Sequence, residues 1–150
     1  MLILSYFRFF SSSQYDQRLL KNKIIILHAD ITEKILGCFY KVYNELGYGF
    51  LEKVYENALM IELVTAKLAE LQQAGIKVYY EGKEAGNYFA DILAANKIIV
   101  KVKAGKGEII KEHELQLSNY LKAANYEIGL ILHFGEKPTF KRIIFSNDYK

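Results

Sequence analysis

Cysteine is nearly absent from this 150-residue chain: Cys38 stands alone. One thiol cannot build a disulfide framework, and no Cys or His pair sits at ligand spacing, which excludes a zinc ribbon and a cysteine-ligated iron–sulfur cluster. Cys38 reads as a small buried hydrophobe in a reducing compartment, so a cytoplasmic protein is expected. Long apolar runs are missing too. The opening MLILSYFRFF is interrupted by Arg8 and falls far short of the ~20 residues that cross a bilayer, so no membrane partner is expected. It has no basic leader and no small-residue cleavage site before SSSQYDQ, which argues against a secretory signal. We read residues 1–30 as an N-terminal extension, loosely ordered or ordered on contact. Residues 31–150 read as one domain, because 51% hydrophobic and 25% charged residues supply one core and little argues for two.

Excess charge is small as well, a net +3. It is unevenly spread: residues 76–106 hold Lys77, Lys83, Lys97, Lys101, Lys103 and Lys106 against Glu81, Glu84 and Asp91. That half of the molecule would attract polyanions, although a solvated basic face is the commoner meaning of such an excess.

Periodicity supplies the elements. Asp30 and Glu33 look like a helix N-cap and its partner. Ile35, Leu36, Phe39, Val42, Tyr43 and Leu46 then recur at helical spacing, which predicts a helix over about Ile31 to Leu46. Gly47-Tyr48-Gly49 stops it, and a second helix starts near Phe50, which pattern alone would carry to Gln73 and end at Gly75. Two strands follow around a turn at Glu81 to Lys83, then a third over Lys97 to Ala104. Ile110 to Ala124 reads as a helix with Leu117, Leu121 and Ala124 on its apolar stripe and Gln116 and Tyr120 one turn apart beside it. Ile128 to Phe134 has the continuous apolar character of a strand buried on both faces, and Lys141 to Ser146 reads as an edge strand. The expectation is an α/β sandwich with a mixed central sheet flanked by helices.

Chemistry gathers between Tyr88 and Ala104, two short apolar strands joined at Ala94 to Asn96. Strand alternation puts Asp91 on one face with Phe89 and Leu93, and Lys101 and Lys103 together on a face of the next strand. Three ionisable groups then meet at one end of a hairpin. Asp is depleted in strands, so either a salt bridge to Lys101 or Lys103 or a metal-ligand role would account for Asp91. Glu52 at a helix start is favoured by the helix dipole alone, and Lys103 could be a solvated strand end. His113 and His133 read as ordinary surface or core residues. Most of the twelve tyrosines lie at core spacing, which favours packing over base stacking.

Several strings together resemble a known family. Gly49-Phe50-Leu51-Glu52-Lys53-Val54-Tyr55, Tyr88-Phe89-Ala90-Asp91, His113-Glu114-Leu115-Gln116 with Tyr120-Leu121-Lys122-Ala123, Gly129-Leu130, Phe134-Gly135 and Lys141-Arg142-Ile143 occur in the order and spacing of the GxxExxY proteins. These are a branch of the PD-(D/E)XK nuclease superfamily. The resemblance covers Ile31 to about Phe145 and implies a restriction-endonuclease-like core in ααβββαββ order. It also implies a turn near Lys67, with Leu68 to Gln73 a first strand. It further implies phosphodiester hydrolysis of DNA or RNA with Mg²⁺ or Mn²⁺ held by Asp91 and Glu52. Glu52, Asp91, Lys101, Lys103, Gln116 and Tyr120 would be the site residues.

One position departs from the pattern. The family's third strand usually ends in Glu-x-Lys, and here the Glu position holds Lys101 while Lys103 agrees. Mg²⁺ wants carboxylate oxygens at about 2.1 Å, and an ammonium near Asp91 competes for them. Two unit charges about 4 Å apart attract by roughly 4 kcal/mol at an intermediate dielectric. Activity would therefore be weak or lost unless another carboxylate, such as Glu52, Glu108 or Glu114, takes the ligand role. The readings left standing are a metal-dependent nuclease, a metal-free nucleic-acid binder of the same fold, and an interaction module that pairs with itself or a partner.

Overall fold

The computed structural model describes Asn22 and residues 28–147. The extension expected over residues 1–30 therefore lies outside the described residues, apart from Asn22 and the last three, Ala29 and Asp30 of which already belong to the first helix. The elements run α1 (Ala29–Leu46), α2 (Glu52–Thr65), β1 (Ala69–Tyr80), β2 (Lys83–Ala94), β3 (Ile98–Ala104), α3 (Lys111–Ala123), β4 (Ile128–Phe134) and β5 (Pro138–Ile144). This is the ααβββαββ order of a restriction-endonuclease-like α/β fold. The strands form one sheet in sequence order, antiparallel except for β3 and β4. That parallel pair needs a crossover connection, and α3 supplies it.

Because strand side chains alternate, the sheet has two differently furnished faces. On one, Ile98, Val100 and Val102 of β3 and Leu130, Leu132 and Phe134 of β4 pack against Ile35 and Phe39 of α1 and Tyr55, Leu59 and Leu63 of α2. On the other, Ile99 and Ile131 meet Leu117, Tyr120 and Leu121 of α3. β4 is buried along its whole length, as its unbroken apolar run predicts. Leu117 of α3 packs directly over Gly129: a Cβ there would lie 2.6 Å from Leu117 Cγ.

Local details differ from the expected ones. Asp30 is not the N-cap of α1; that position is His28, at φ 52, whose carbonyl accepts the Thr32 N–H and hydroxyl, both at 3.0 Å. Asp30 sits in the first turn, where its charge still meets the positive end of the helix dipole. The chain does turn at Lys67, φ 57, but β1 then runs unbroken to Tyr80 where separate strands were expected. The ladder with β2 carries it across, in one register from Leu71↔Leu93 through Gln72↔Ile92 and Ala74↔Ala90 to Val78↔Gly86, although Gln73 takes φ 55. β5 begins earlier than expected because Pro138 pairs with Phe134. Proline is harmless at the start of an edge strand, where its missing N–H is not required.

The β1–β2 hairpin outruns the rest of the sheet. β2 pairs with β3 only from Ala94↔Ile98 to Ile92↔Val100, whereas it pairs with β1 out to Tyr80↔Lys83. The projecting part carries Tyr79, Tyr80, Tyr88 and Phe89, all exposed. For Tyr79 and Tyr80 the packing expectation fails, and Tyr88 is covered on one side only, by the Tyr120 ring. Among the described residues no helix is long and apolar enough to cross a membrane.

Candidate functional site

Asp91 lies where β2 and β3 part. Beyond Ile92↔Val100 the next couple in register would be Asp91 opposite Lys101, and there the side chain takes over from the ladder. Asp91 Oδ2 accepts the Val102 N–H at 2.7 Å, while Oδ1 faces Lys101 Nζ at 3.6 Å, an ion pair in contact. Both side chains are only 13% exposed. Burial pushes the Asp91 carboxyl above the ordinary carboxylate range, and the Val102 N–H and the Lys101 ammonium pull the other way without reversing it. The pair therefore does not recover all that desolvation takes, as is common for buried ion pairs.

Lys101 is held from a second side. Its Nζ lies 5.7 Å from the centre of the Tyr120 ring, within reach of a cation–π contact, and that ring leans on Tyr88 at 5.3 Å between centroids. Burial raises the Tyr120 hydroxyl above its usual range, and the Asp91 charge adds to the rise. Lys103 shares the α3 face, half-buried, in register with buried His133 of β4. Its charge lowers the Asp91 carboxyl and also the His113 imidazole, on which burial acts most strongly. Gln116 is exposed one turn before Tyr120 and stays out of this group. It lines a groove of about 810 Å³ between α3 and the projecting hairpin.

The two glutamates at the start of α2 divide the work differently from the expected arrangement. Glu52 is exposed at the helix start, and its charge acts on His113 in the first turn of α3. Glu56, one turn on, is 4% exposed and its charge raises the Asp91 carboxyl. Sequence reasoning missed Glu56. Its position on the stripe of Tyr55, Leu59 and Leu63 was the available signal, since an acid on a core stripe requires partners. Those partners are the Lys53 ammonium, Gln72 Nε2 at 2.6 Å and Gln73 Nε2 at 2.7 Å. Successive residues of a regular strand point to opposite faces. The left-handed backbone at Gln73 lets both amides reach one carboxylate.

Tyr55, the last residue of the Gly49-to-Tyr55 string, is fully buried and works as a strut. Its hydroxyl donates to the Gly47 carbonyl and accepts the Phe50 N–H at 3.2 Å, and its ring stacks on Phe134 at 4.3 Å. Gly47 at φ 70 and Gly49 at φ 116 give the loop its shape. The string thus fixes where α2, and with it Glu52 and Glu56, begins.

A divalent metal held by Asp91 and Glu52 does not fit these residues as they stand. One Asp91 oxygen is engaged by a backbone N–H and the other faces an ammonium. The acid whose charge acts on Asp91 is Glu56, whose oxygens already accept from three donors. Among the described residues no group of three or more His, Cys, Asp or Glu is placed to hold a metal ion.

Comparison with other proteins sets this geometry in a lineage. The chain is similar in fold to the crystal structure of SSO0001, with a TM-score of 0.51 at 19% sequence identity over 85% of this chain. It spans 64% of that chain's length. No curated protein matches it. A family profile described as the PD-(D/E)XK nuclease superfamily matches residues 29–143, every element from α1 nearly to the end of β5. The chain belongs to the PD-(D/E)XK nuclease superfamily.

Proposed function

We propose that this protein binds nucleic acid at the open end of β2 and β3 and hydrolyses it weakly or not at all. One observation carries the reading: an ammonium, Lys101, stands against Asp91 where the superfamily's pattern has an acid. With Glu52, Asp91, Lys103 and a glutamate at position 101, a site of this kind would carry net negative charge and draw a divalent cation. With Lys101 the same four positions are neutral. Lys101 and Lys103 share the α3 face beside Asp91, and a phosphate meeting them would release counterions, so binding depends on salt and not on a metal. This chemistry supports phosphate recognition in place of phosphoryl-transfer catalysis, in which the metal activates water.

The test compares wild type, Asp91→Ala and Lys101→Glu for nicking of supercoiled plasmid with Mg²⁺ or Mn²⁺, and for binding of a labelled duplex with and without chelator. Wild type should bind indifferently to chelator and nick no more than Asp91→Ala. Lys101→Glu should gain metal affinity and nicking. Robust wild-type nicking that Asp91→Ala removes would overturn the reading and return the protein to the active nucleases.

A further inference from the structure

We infer that the groove between α3 and the projecting β1–β2 hairpin takes the bases of an unpaired nucleic-acid strand, an inference that rests on the nucleic-acid reading above. Its volume, about 810 Å³, lies in the range of ligand clefts. Tyr79 and Tyr88, 61% and 47% exposed, line it from the hairpin. Exposed aromatic faces bind bases without regard to sequence, because every base has a π-face. Gln116 and Asn119 line it from α3 with amides that can meet base edges.

The inner end is what favours nucleic acid over other occupants. Tyr120 lines the groove and carries the Lys101 ammonium 5.7 Å from its ring centre, so one wall of the groove is shared with a lysine proposed to meet phosphate. A strand whose backbone reaches Lys101 has its adjoining bases beside Tyr88. Charge within the groove is balanced, Glu112 against Lys122. Affinity there would come from stacking and hydrogen bonds, with the phosphate contribution confined to the Lys101 and Lys103 end. Base-paired DNA keeps its faces stacked inside the duplex and cannot use such a surface.

The test is fluorescence anisotropy of the full chain with labelled oligothymidylate and with a duplex of the same length, for wild type, Tyr79→Ala, Tyr88→Ala and Tyr88→Phe. Each alanine variant should weaken single-strand binding by about tenfold, the scale of losing one stacking platform. Duplex binding and the salt slope should stay unchanged, and Tyr88→Phe should keep wild-type affinity. Tyr79 is exposed, so its variant folds, which unchanged thermal melting verifies. Unchanged single-strand affinity in both alanine variants overturns the groove. If Lys103→Ala then still weakens both probes, the nucleic-acid reading survives alone. If wild type binds neither probe, both fall. A concentration-dependent mass that Tyr79→Ala abolishes would assign the groove to a second copy of this chain and equally overturn the inference.

Discussion

The two faces of this sheet use the same strands for different ends. On the α1–α2 side, β3 and β4 present only apolar side chains, and Phe39, Tyr55 and Phe134 interlock through ring contacts of 4.7 and 4.3 Å. On the α3 side, the intervening positions of the same two strands are Ile99, Lys101 and Lys103, and Gly129, Ile131 and His133. One helix covers that face, with Leu117 seated over a residue that has no side chain. The lesson is that the first face holds the domain together while the second is left polar at its open end, where chemistry can be placed without opening the main core. Lys101 in place of an acid is a change on the second face alone.

That contrast can be broken in three ways, beginning with the largest effect. Tyr55→Ala removes a fully buried ring and a strut from the first face, and should lower stability by about 3–5 kcal/mol in urea unfolding, as large aromatic truncations do. A loss under about 1 kcal/mol would show that the first face is not the main core. Gly129→Ala puts a methyl against the fully buried Leu117 and should cost about 1–3 kcal/mol by overpacking. With Leu117→Ala added, the double variant should lose less than the sum of the two single losses, and strictly additive effects would contradict direct contact.

The smallest and sharpest effect is that of pH on Asp91→Asn. Burial raises the folded carboxyl, so folding disfavours its charged form relative to the unfolded chain. Its contribution to stability is present below the unfolded value and is lost as pH rises through the folded one. Asparagine keeps an oxygen for the Val102 N–H and cannot ionise. The variant should therefore gain stability relative to wild type as pH rises from about 3 toward 7, read from urea midpoints at each pH. The opposite trend would mean that the Lys101 pair outweighs burial.

Much of this was legible in the chain, and what was not has a common cause. Helical spacing, the Gly47 and Gly49 stop and the unbroken run of β4 are local signals, and they fixed the element order. The meeting of Asp91 and Lys101 followed from their separation across a short turn. Glu56 escaped because its partners Gln72 and Gln73 lie on β1, beyond reach of a helical pattern. β1 looked broken because Gln73, Ala74 and Gly75 interrupt its alternation, and only pairing with β2 restores it. The exposure of Tyr79 and Tyr88 depends on where β3 stops pairing with β2, which neither strand's composition encodes.

The hydrogen bond from the Val102 amide to Asp91 has a mechanical side. A side-chain oxygen serves there as the last rung between two strands, so whatever draws Asp91 away also unfastens their end. Occupancy of the site and closure of the sheet are thereby geared together, and the exchange rate of one amide proton would register both.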